Sequence, residues 1–356
     1  MKMCHAFAEN GHDVILFVRE ICKKFTKEKD IFSYYGVSPK FKILERPYRK
    51  LKYKYEVYTT GIWAAWKSKR MKADLVYCRN ITGCLFSAFF GLPVIFESHS
   101  PVSYGGKFQE YLFRRLIRTT GLKKIIVITH ALKRYYENNY PEIVDKIIVA
   151  PDAADPISTN DELGNKVKFS KSNRTQIGYI GHLYKGRGIE LIINLAKNIP
   201  DADFHLVGGT TKDIGYWKKL TKTVDNLFFH GFLPPSEADK YKVSFDILLA
   251  PYQAKVIVSD NKSDTSKWMS PLKVFEYMSS RKPIVCSNLP VLREVLEHER
   301  NALLCSPCNL AEWKNAIERL MCDNELSQRI SESAYSDFIN NYTWEKRAEK
   351  TIDSLN

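Results

Sequence analysis

The residues with the clearest chemical potential are S-P-L-K-V-F-E-Y-M at 270–278. A serine followed by proline is typical of a helix start, since the hydroxyl caps a backbone N–H group and proline suits the first turn. Lys273 and Glu276 then lie one turn apart on that helix. Free N–H groups and an ammonium bind phosphate, and a carboxylate accepts hydrogen bonds from sugar hydroxyls. The segment predicts either such a binding helix or an ordinary surface helix with a charged pair.

A glycine-rich turn, G-Y-I-G-H-L-Y-K-G-R-G at 178–188, also suits phosphate. Glycines let the backbone approach an anion closely, and Lys185 and Arg187 add positive charge. A turn of this kind also serves as a plain tight turn, so both interpretations stay open. A later segment, F-H-L-V-G-G at 204–209, ends in Gly208 and Gly209 and is expected at the same edge of a sheet.

A third group, F-E-S-H-S-P at 96–101, contains Glu97 and His99. A histidine at the end of a buried strand can act near neutral pH as a proton donor or a polar clamp, although a lone histidine is more often structural. Arg79 follows the strand predicted at 75–78. From that equivalent position a guanidinium can reach an anionic ligand.

Alternating strands and helices must position these residues. Continuous apolar strands between helices indicate parallel sheets covered on both faces. One series predicts strands at 75–78, 93–97, 124–128 and 146–149, and a second predicts strands at 175–180, 204–207, 227–230, 247–250, 283–286 and 302–304. The expected architecture is α/β, with two tandem Rossmann-like doubly wound domains that bind ligands at the carboxyl ends of their strands.

The predicted domain division follows from the two series of strands. The first domain is 1–160, the polar stretch 160–174 is the linker, the second domain is 174–325, and the helices of 326–356 are expected to cross back to the first. The chain opens as a helix, a glycine at position 11 and a strand at 13–18. That order is the second half of a βαβ unit, so we expect its first strand to be missing upstream.

Composition limits the class of protein. With 356 residues and 54 basic against 40 acidic side chains, the net charge is +14, which favours anionic partners. No apolar run approaches the length that spans a bilayer, so we expect a soluble, cytoplasmic protein that is at most peripheral on the inner face of a membrane. The eight cysteines include one isolated C-x-x-C at 305–308 and no paired metal spacing, so reduced thiols are expected.

Residues 45–72 interleave lysines and arginines with tyrosines and tryptophans. Such a mixture suits an anionic membrane surface or a single-stranded nucleic acid. A solvated helix whose aromatic side chains face the core also accounts for it.

The ordered motifs resemble those of glycosyltransferase family 4, the retaining sugar-nucleotide transferases of GT-B fold. They are G-x-x-x-K-G-R-G, L-V-G-G, H-G-F, A-P-Y, S-P-L-K-x-F-E-Y-M and K-P-I-V, which are densest over 176–305. The resemblance implies a cleft between two domains. It also implies transfer of a sugar from a nucleoside-diphosphate sugar to an acceptor hydroxyl, with retention and without a metal or other cofactor, in polysaccharide or glycolipid biosynthesis.

The resemblance also implies roles for individual residues. Arg187 would bind the diphosphate, Lys273 would face phosphate or sugar, and Glu276 would bind the ribose. The implied donor site comprises Gly181, His182, Arg187, Gly208, Gly209, Ser270, Pro271, Leu272, Lys273 and Glu276. The implied catalytic residues are Glu97, His99, Arg187 and Lys273, with Arg79 on the side of the acceptor, a glycan or lipid-linked molecule.

Three positions depart from the family pattern. Trp268 stands where the family has the first of two glutamates, His182 where many members have arginine, and Arg281 where glycine is usual. Two alternatives remain: a GT-B nucleotide-sugar epimerase, which needs more carboxylates, and a basic membrane- or nucleic-acid-binding protein. The epimerase would use the same cleft, but the sequence shows few carboxylates there. The binding protein does not explain why glycines and cations recur at successive strand ends, so the transferase is preferred and no nucleic-acid partner is expected.

Overall fold

The structure is a computed structural model and describes residues 1–19, 31–47, 53–157, 166–169, 174–184, 186–256 and 264–355. The chain divides into two compact units. The first unit is Met1–Pro151 with Trp344–Asn356, and the second is Asp152–Thr343. The predicted domains end instead at 160 and 325, with 326–356 kept together, so the two divisions place the chain's last helices differently.

The described residues form alternating strands and helices. The strands are β1 (Ile15–Val18), β2 (Lys42–Glu45), β3 (Val76–Cys78), β4 (Val94–Ser98), β5 (Leu122–Val127), β6 (Ile147–Val149), β7 (Thr175–Ile180), β8 (Ala202–Val207), β9 (Leu227–Gly231), β10 (Ile247–Ala250), β11 (Ile284–Ser287) and β12 (Leu303–Cys305). The helices are α1 (Lys2–Glu9), α2 (Ile31–Tyr34), α3 (Tyr53–Arg70), α4 (Ile81–Phe89), α5 (Lys107–Ile117), α6 (His130–Asn139), α7 (Ile189–Asn198), α8 (Thr211–Leu220), α9 (Pro235–Ser244), α10 (Leu272–Met278), α11 (Leu310–Cys322), α12 (Asn324–Asn341) and α13 (Trp344–Asp353).

The first unit contains two parallel sheets. One has the order β3-β4-β5-β6, and β4 is buried along its whole length, as predicted for a covered parallel strand. The other consists of β1 paired with β2, from Ile15 opposite Lys42 to Val18 opposite Glu45. In the described part of the chain β1 and β3 do not pair with each other. The expectation of a further strand upstream of α1 stays a prediction.

Helices α1 and α13 pack together in the first unit. Ala6, Phe7 and Ala348 form the buried centre of their contact, with Tyr77 of β3 packed against it. The ring centroids of Phe7 and Tyr77 are 5.3 Å apart in an edge-on arrangement. The last helix is therefore held to the sheet by apolar contacts that also fix the position of Tyr77.

The second unit is a single parallel sheet of order β12-β11-β10-β7-β8-β9. From β7 the chain adds β8 and β9 on one side, and from β10 it adds β11 and β12 on the other side. The topological switch point therefore lies between β7 and β10. Ligands of such folds bind at the carboxyl ends of the strands at this point. The glycine-rich turn follows β7, and the A-P-Y segment follows β10, so the fold brings two of the predicted motifs to one place.

Arg281 follows α10 in a left-handed backbone conformation, with φ of 52°. Glycine adopts this conformation without strain, whereas a residue with a side chain is disfavoured there. Its guanidinium carbon lies 3.9 Å from the ring centroid of Tyr335 on α12, a cation–π contact. That contact offsets part of the strain at a position where the resemblance led us to expect glycine.

Candidate functional site

Backbone segments approach each other closely at the switch point of the second unit. Gly181 N donates to Val207 O at 2.9 Å, and Gly208 N donates to Gly231 O at 2.7 Å. Gly208 has φ of 119°, and a Cβ atom there would lie 2.2 Å from the carbonyl oxygen of Gly181. No side chain fits in that space, so glycine is required for the turn after β7 to meet the end of β8.

Lys273 reaches into this crevice from α10 and lies against aromatic rings. Its Nζ is 3.6 Å from the ring centroid of Tyr179 and 5.3 Å from that of Tyr252. A Cβ atom on Gly181 would lie 2.9 Å from the same Nζ, so the glycine leaves room for the ammonium. Burial lowers the pKa of Lys273 well below its ordinary value, and the charge of Arg187 lowers it further.

Arg187 adds a second cation to the crevice. Its guanidinium carbon is 5.5 Å from the ring centroid of Tyr252. Its Nε atom is buried and has no hydrogen-bond partner within the described residues. A buried N–H group without a partner is costly, and a ligand oxygen would satisfy it. Lys185, the other cation predicted in this turn, lies outside the described residues.

His182 completes the group of basic side chains. Its ring is exposed and stacks on Tyr184 with centroids 4.7 Å apart. Partial burial lowers the pKa of His182, and the charges of Arg187 and Lys273 lower it further. The position that many family members fill with arginine thus carries a side chain that is less readily charged.

Glu276 has a partner that the sequence did not reveal. Its Oε2 lies 3.8 Å from Nζ of Lys242, a buried lysine on α9. Lys242 also contacts Asp239 Oδ1 at 2.5 Å. Burial would lower the pKa of Lys242, but the charges of Glu276 and Asp239 outweigh it and raise that pKa. The ion pair of Glu276 in the described residues is therefore with Lys242, and not with Lys273 as in the surface-helix alternative.

The start of α10 differs from the prediction. The helix begins at Leu272 with Pro271 as its N-cap, and no side chain caps it. The hydroxyl of Ser270 accepts a hydrogen bond from the backbone N–H of Asp152 at 2.9 Å instead. The prediction that Ser270 caps the helix was wrong because a loop distant in sequence competes for its hydroxyl. The Leu272 side chain is 45% exposed, so it does not join the core.

Gly209 also packs closely within the crevice, since a Cβ atom there would lie 2.6 Å from the Leu183 side chain. The following residues start α8 with a reciprocal capping box between Thr210 and Asp213. The backbone N–H groups of Thr210 and Asp213 are thus satisfied by side chains of the same turn. Gly209 shapes the wall of the site, and the cations of the crevice come from other elements.

The first unit holds the other predicted pair at the end of β4. His99 Nε2 and Glu97 Oε1 are in hydrogen-bond contact. Arg347 of α13 donates through Nη2 to the same Glu97 oxygen at 3.1 Å. Arg79 is exposed in the turn after β3, at the same edge of the sheet. Sequence reasoning placed Glu97 and His99 together but missed Arg347.

The basic segment 45–72 divides into an inner and an outer face where it is described. Trp63 lies inward, with its ring 5.5 Å from that of Phe17. Trp66 is 43% exposed, and Lys67 Nζ and Arg70 Cζ lie 5.4 Å and 4.9 Å from its ring centroid. Residues 48–52 lie outside the described part. Among the described helices, none has the length and apolar character needed to cross a bilayer.

Comparison with known proteins gives two adjoining family matches. The model described as "Glycosyl transferases group 1" matches residues 161–337, and the one described as "Glycosyltransferase Family 4" matches residues 1–156. An uncharacterized glycosyltransferase of Haemophilus influenzae is 26% identical over 233 residues, which are 62% of this chain and 60% of that protein. One of Methanocaldococcus jannaschii is 25% identical over 251 residues, 67% of this chain and 60% of that protein. The chain thus spans about 60% of the length of these curated relatives.

Solved structures resemble the chain over almost its whole length. HepE of Anabaena, in complex with UDP, has a TM-score of 0.71 at 16% identity, covering 99% of this chain and 95% of that chain. Sucrose-phosphate synthase of Thermosynechococcus elongatus has a TM-score of 0.68 at 15% identity, covering 99% and 90%. At these identities the likeness shows the fold alone.

Proposed function

Because the chain is a glycosyltransferase family 4-like protein of GT-B fold, we propose that it transfers a sugar from a nucleoside-diphosphate sugar to an acceptor hydroxyl. The donor binds in the crevice of the second unit. The acceptor is a glycan or a lipid-linked glycan, and the product belongs to a polysaccharide or a glycolipid.

The observation that carries the proposal is a pair of cations that no carboxylate of the described residues contacts directly. The charge of Glu276 raises the pKa of Lys273 from a distance, but burial and the charge of Arg187 outweigh it. Lys273 and Arg187 lie against the same tyrosine ring, and neither forms an ion pair with a carboxylate in the described residues. Two like charges in a partly buried crevice repel each other, and a diphosphate relieves that repulsion while accepting from the orphaned Nε of Arg187. The ligand that best fits this electrostatic pattern is a phosphate diester or diphosphate.

Glu276 is proposed to bind the ribose. Its side chain is 40% exposed, and Lys242 holds it beside the crevice. A carboxylate in this place accepts hydrogen bonds from vicinal hydroxyls of a sugar. HepE was solved with UDP, which makes a uridine nucleotide the first donor to test.

The proposed reaction proceeds with retention of configuration. Lys273 and Arg187 stabilise the charge that develops on the departing diphosphate, through preorganised electrostatics and without a metal ion. The diphosphate accepts the proton of the acceptor hydroxyl on the face from which it leaves. Glu97 and His99 bind the transferred sugar through its hydroxyl groups. A chelator is therefore expected to leave turnover unchanged.

We propose that the outer face of α3 holds the enzyme at the cytoplasmic surface of an anionic membrane. An exposed tryptophan flanked by lysine and arginine suits the boundary between headgroups and acyl chains. Trp66→Ser combined with Lys69→Glu should lower binding to vesicles that contain phosphatidylglycerol. Tyr216→Ser with Lys219→Glu on α8 is the matched control, because it also removes one exposed aromatic side chain and reverses one exposed lysine. Equal loss in both variants would contradict a specific role for α3.

The donor proposal is tested by a thermal-shift panel of UDP, GDP, ADP and their sugar conjugates. At least one nucleotide should raise the Tm of the wild-type chain, and Arg187→Ala should abolish that shift. Arg293→Ala removes an exposed arginine of the same unit and should leave the shift unchanged. If no nucleotide stabilises the wild-type chain, or if Arg187→Ala binds as well as the wild type, the donor proposal fails.

A further inference from the structure

A buried arginine in the first unit makes contacts that the proposed donor chemistry does not use. Arg347 lies 250 residues from Glu97 in the sequence, and its Nη2 donates to Glu97 Oε1 at 3.1 Å. The two side chains are 2% and 5% exposed. Arg347 also donates to the carbonyl oxygens of Pro151 at 2.7 Å and Ala150 at 3.3 Å, and to Tyr77 Oη at 3.1 Å. These bonds hold the guanidinium in one orientation.

Glu97 links Arg347 to His99, since its Oε1 contacts both of them. An ionised carboxylate only accepts hydrogen bonds, so His99 must carry its proton on Nε2. In the neutral ring Nδ1 is then left as an acceptor, and the His99 side chain is 22% exposed. The state of Glu97 therefore decides which ring nitrogen of His99 can accept a hydrogen bond from a ligand.

The charges around Glu97 favour its ionised form. Burial alone would raise the pKa of Glu97, but the hydrogen bond from His99 and the charge of Arg347 outweigh it and hold that pKa below its ordinary value. Arg347 acts from α13 and His99 from the loop after β4. Tyr77 of β3 accepts a hydrogen bond from Nη1 of the same guanidinium.

We propose that Arg347 is the positioning residue of the Glu97–His99 pair: it keeps the carboxylate ionised and in place, and the carboxylate sets the tautomer of His99. The role of His99 at a bound sugar rests on the proposed function, whereas the link between Arg347 and Glu97 does not. Helix α13, which carries Arg347, thus positions Glu97 in addition to packing against α1.

The first test measures Tm against pH, without any substrate. In the wild type, ionised Glu97 contributes stability above its unfolded pKa and loses it as the pH falls through the folded pKa. In Arg347→Gln the buried carboxylate lacks its cation, so its folded pKa rises, and protonation relieves the destabilisation as the pH falls. The Tm gap between wild type and variant should therefore narrow by about half from about pH 7.5 to about pH 5.

Two further variants keep this test decisive. Glu97→Gln with Arg347→Gln removes the uncompensated charge and should recover most of the Tm that Arg347→Gln loses. Lys346→Gln changes an exposed neighbour on the same helix and should leave the Tm unchanged. A Tm gap that does not depend on pH, or a double variant that fails to fold although Glu97→Gln folds, would show that Arg347 only braces the backbone.

The second test measures turnover. Arg347→Gln should lower kcat about tenfold with the KM for the nucleotide donor unchanged, and the acid limb of its kcat profile should move to higher pH. His99→Ala should lose as much, and adding Arg347→Gln should cost nothing more. If the wild type turns over no sugar nucleotide, the proposed function fails, while the Tm experiment still decides the link between Arg347 and Glu97.

Discussion

Two lysines of the second unit are shielded from solvent, and their pKa values shift in opposite directions. Lys242 lies within 4 Å of Asp239 and Glu276, and their charges raise its pKa. Lys273 lies against the rings of Tyr179 and Tyr252, beside the cation Arg187, and its pKa falls. A buried lysine with carboxylates is already satisfied by the protein. A half-buried lysine beside another cation, such as Lys273, gains a direct partner when an anion binds, and this difference separates structural from ligand-binding charge.

Nucleotide affinity should depend most strongly on the charge at position 273. Lys273→Met keeps the length of the side chain and loses the ammonium, so nucleotide affinity should fall about 100-fold, the loss expected for one charged hydrogen bond. Titration calorimetry with the nucleotide that stabilises the wild type measures this effect. Lys240→Met changes a partly exposed lysine of α9 that pairs with Glu237, and this control should bind normally. Equal affinity in the wild type and Lys273→Met would remove Lys273 from the donor site.

The crevice around Lys273 depends on the close approach of the backbone at Gly208 to that at Gly181. A side chain at position 208 should therefore disturb it. Gly208→Ala places a Cβ atom 2.2 Å from the Gly181 carbonyl oxygen in a left-handed conformation. It should lower the free energy of unfolding by about 2 kcal/mol and weaken nucleotide binding.

Gly215→Ala is the matched control for that substitution. Gly215 lies within α8 with nothing within 4 Å of a built Cβ, so alanine should raise stability by about 0.5–1 kcal/mol. Chemical denaturation of both variants measures the difference. Similar stability changes at the two positions would contradict the close approach of the backbone at Gly208.

Substitution of the two lysines should change the free energy of unfolding in opposite directions. Lys242→Met leaves Asp239 and Glu276 without their cation and should lower the free energy of unfolding by about 1 kcal/mol, a modest loss because both carboxylates are partly exposed. Lys273→Met relieves repulsion with Arg187 in the free protein and should raise it. Denaturation without nucleotide measures both variants, and a loss of stability in both would end the distinction between the two lysines.

The sequence predicted the parallel α/β architecture and the gathering of Gly181, Arg187 and Lys273, because motifs at strand ends meet at one edge of a parallel sheet. It did not predict the partners of Lys242 or Arg347. Lys242 lies on α9 among other charged residues, and in the sequence this pattern looks like that of a solvent-exposed helix. Arg347 meets Glu97 across 250 residues, and no local periodicity carries information over that distance. Ser270 failed as a cap for the same reason, since Asp152 lies 118 residues away.

The smallest effect is a proton taken up when nucleotide binds. Lys273 has a lowered pKa in the free protein, and a bound diphosphate favours its charged form, so binding raises that pKa. Lys273 therefore takes up as much as about one proton, most at pH values between its free and bound pKa, and affinity falls as the pH rises through this range. Calorimetry in buffers of different ionisation enthalpy counts the protons.

Lys273→Met should abolish the uptake on the alkaline side. His182→Asn should remove only an uptake at lower pH, because the pKa of His182 is also depressed by burial and by both cations. An alkaline uptake that survives Lys273→Met would place the titrating group elsewhere and leave the two lysines alike in their response to the ligand.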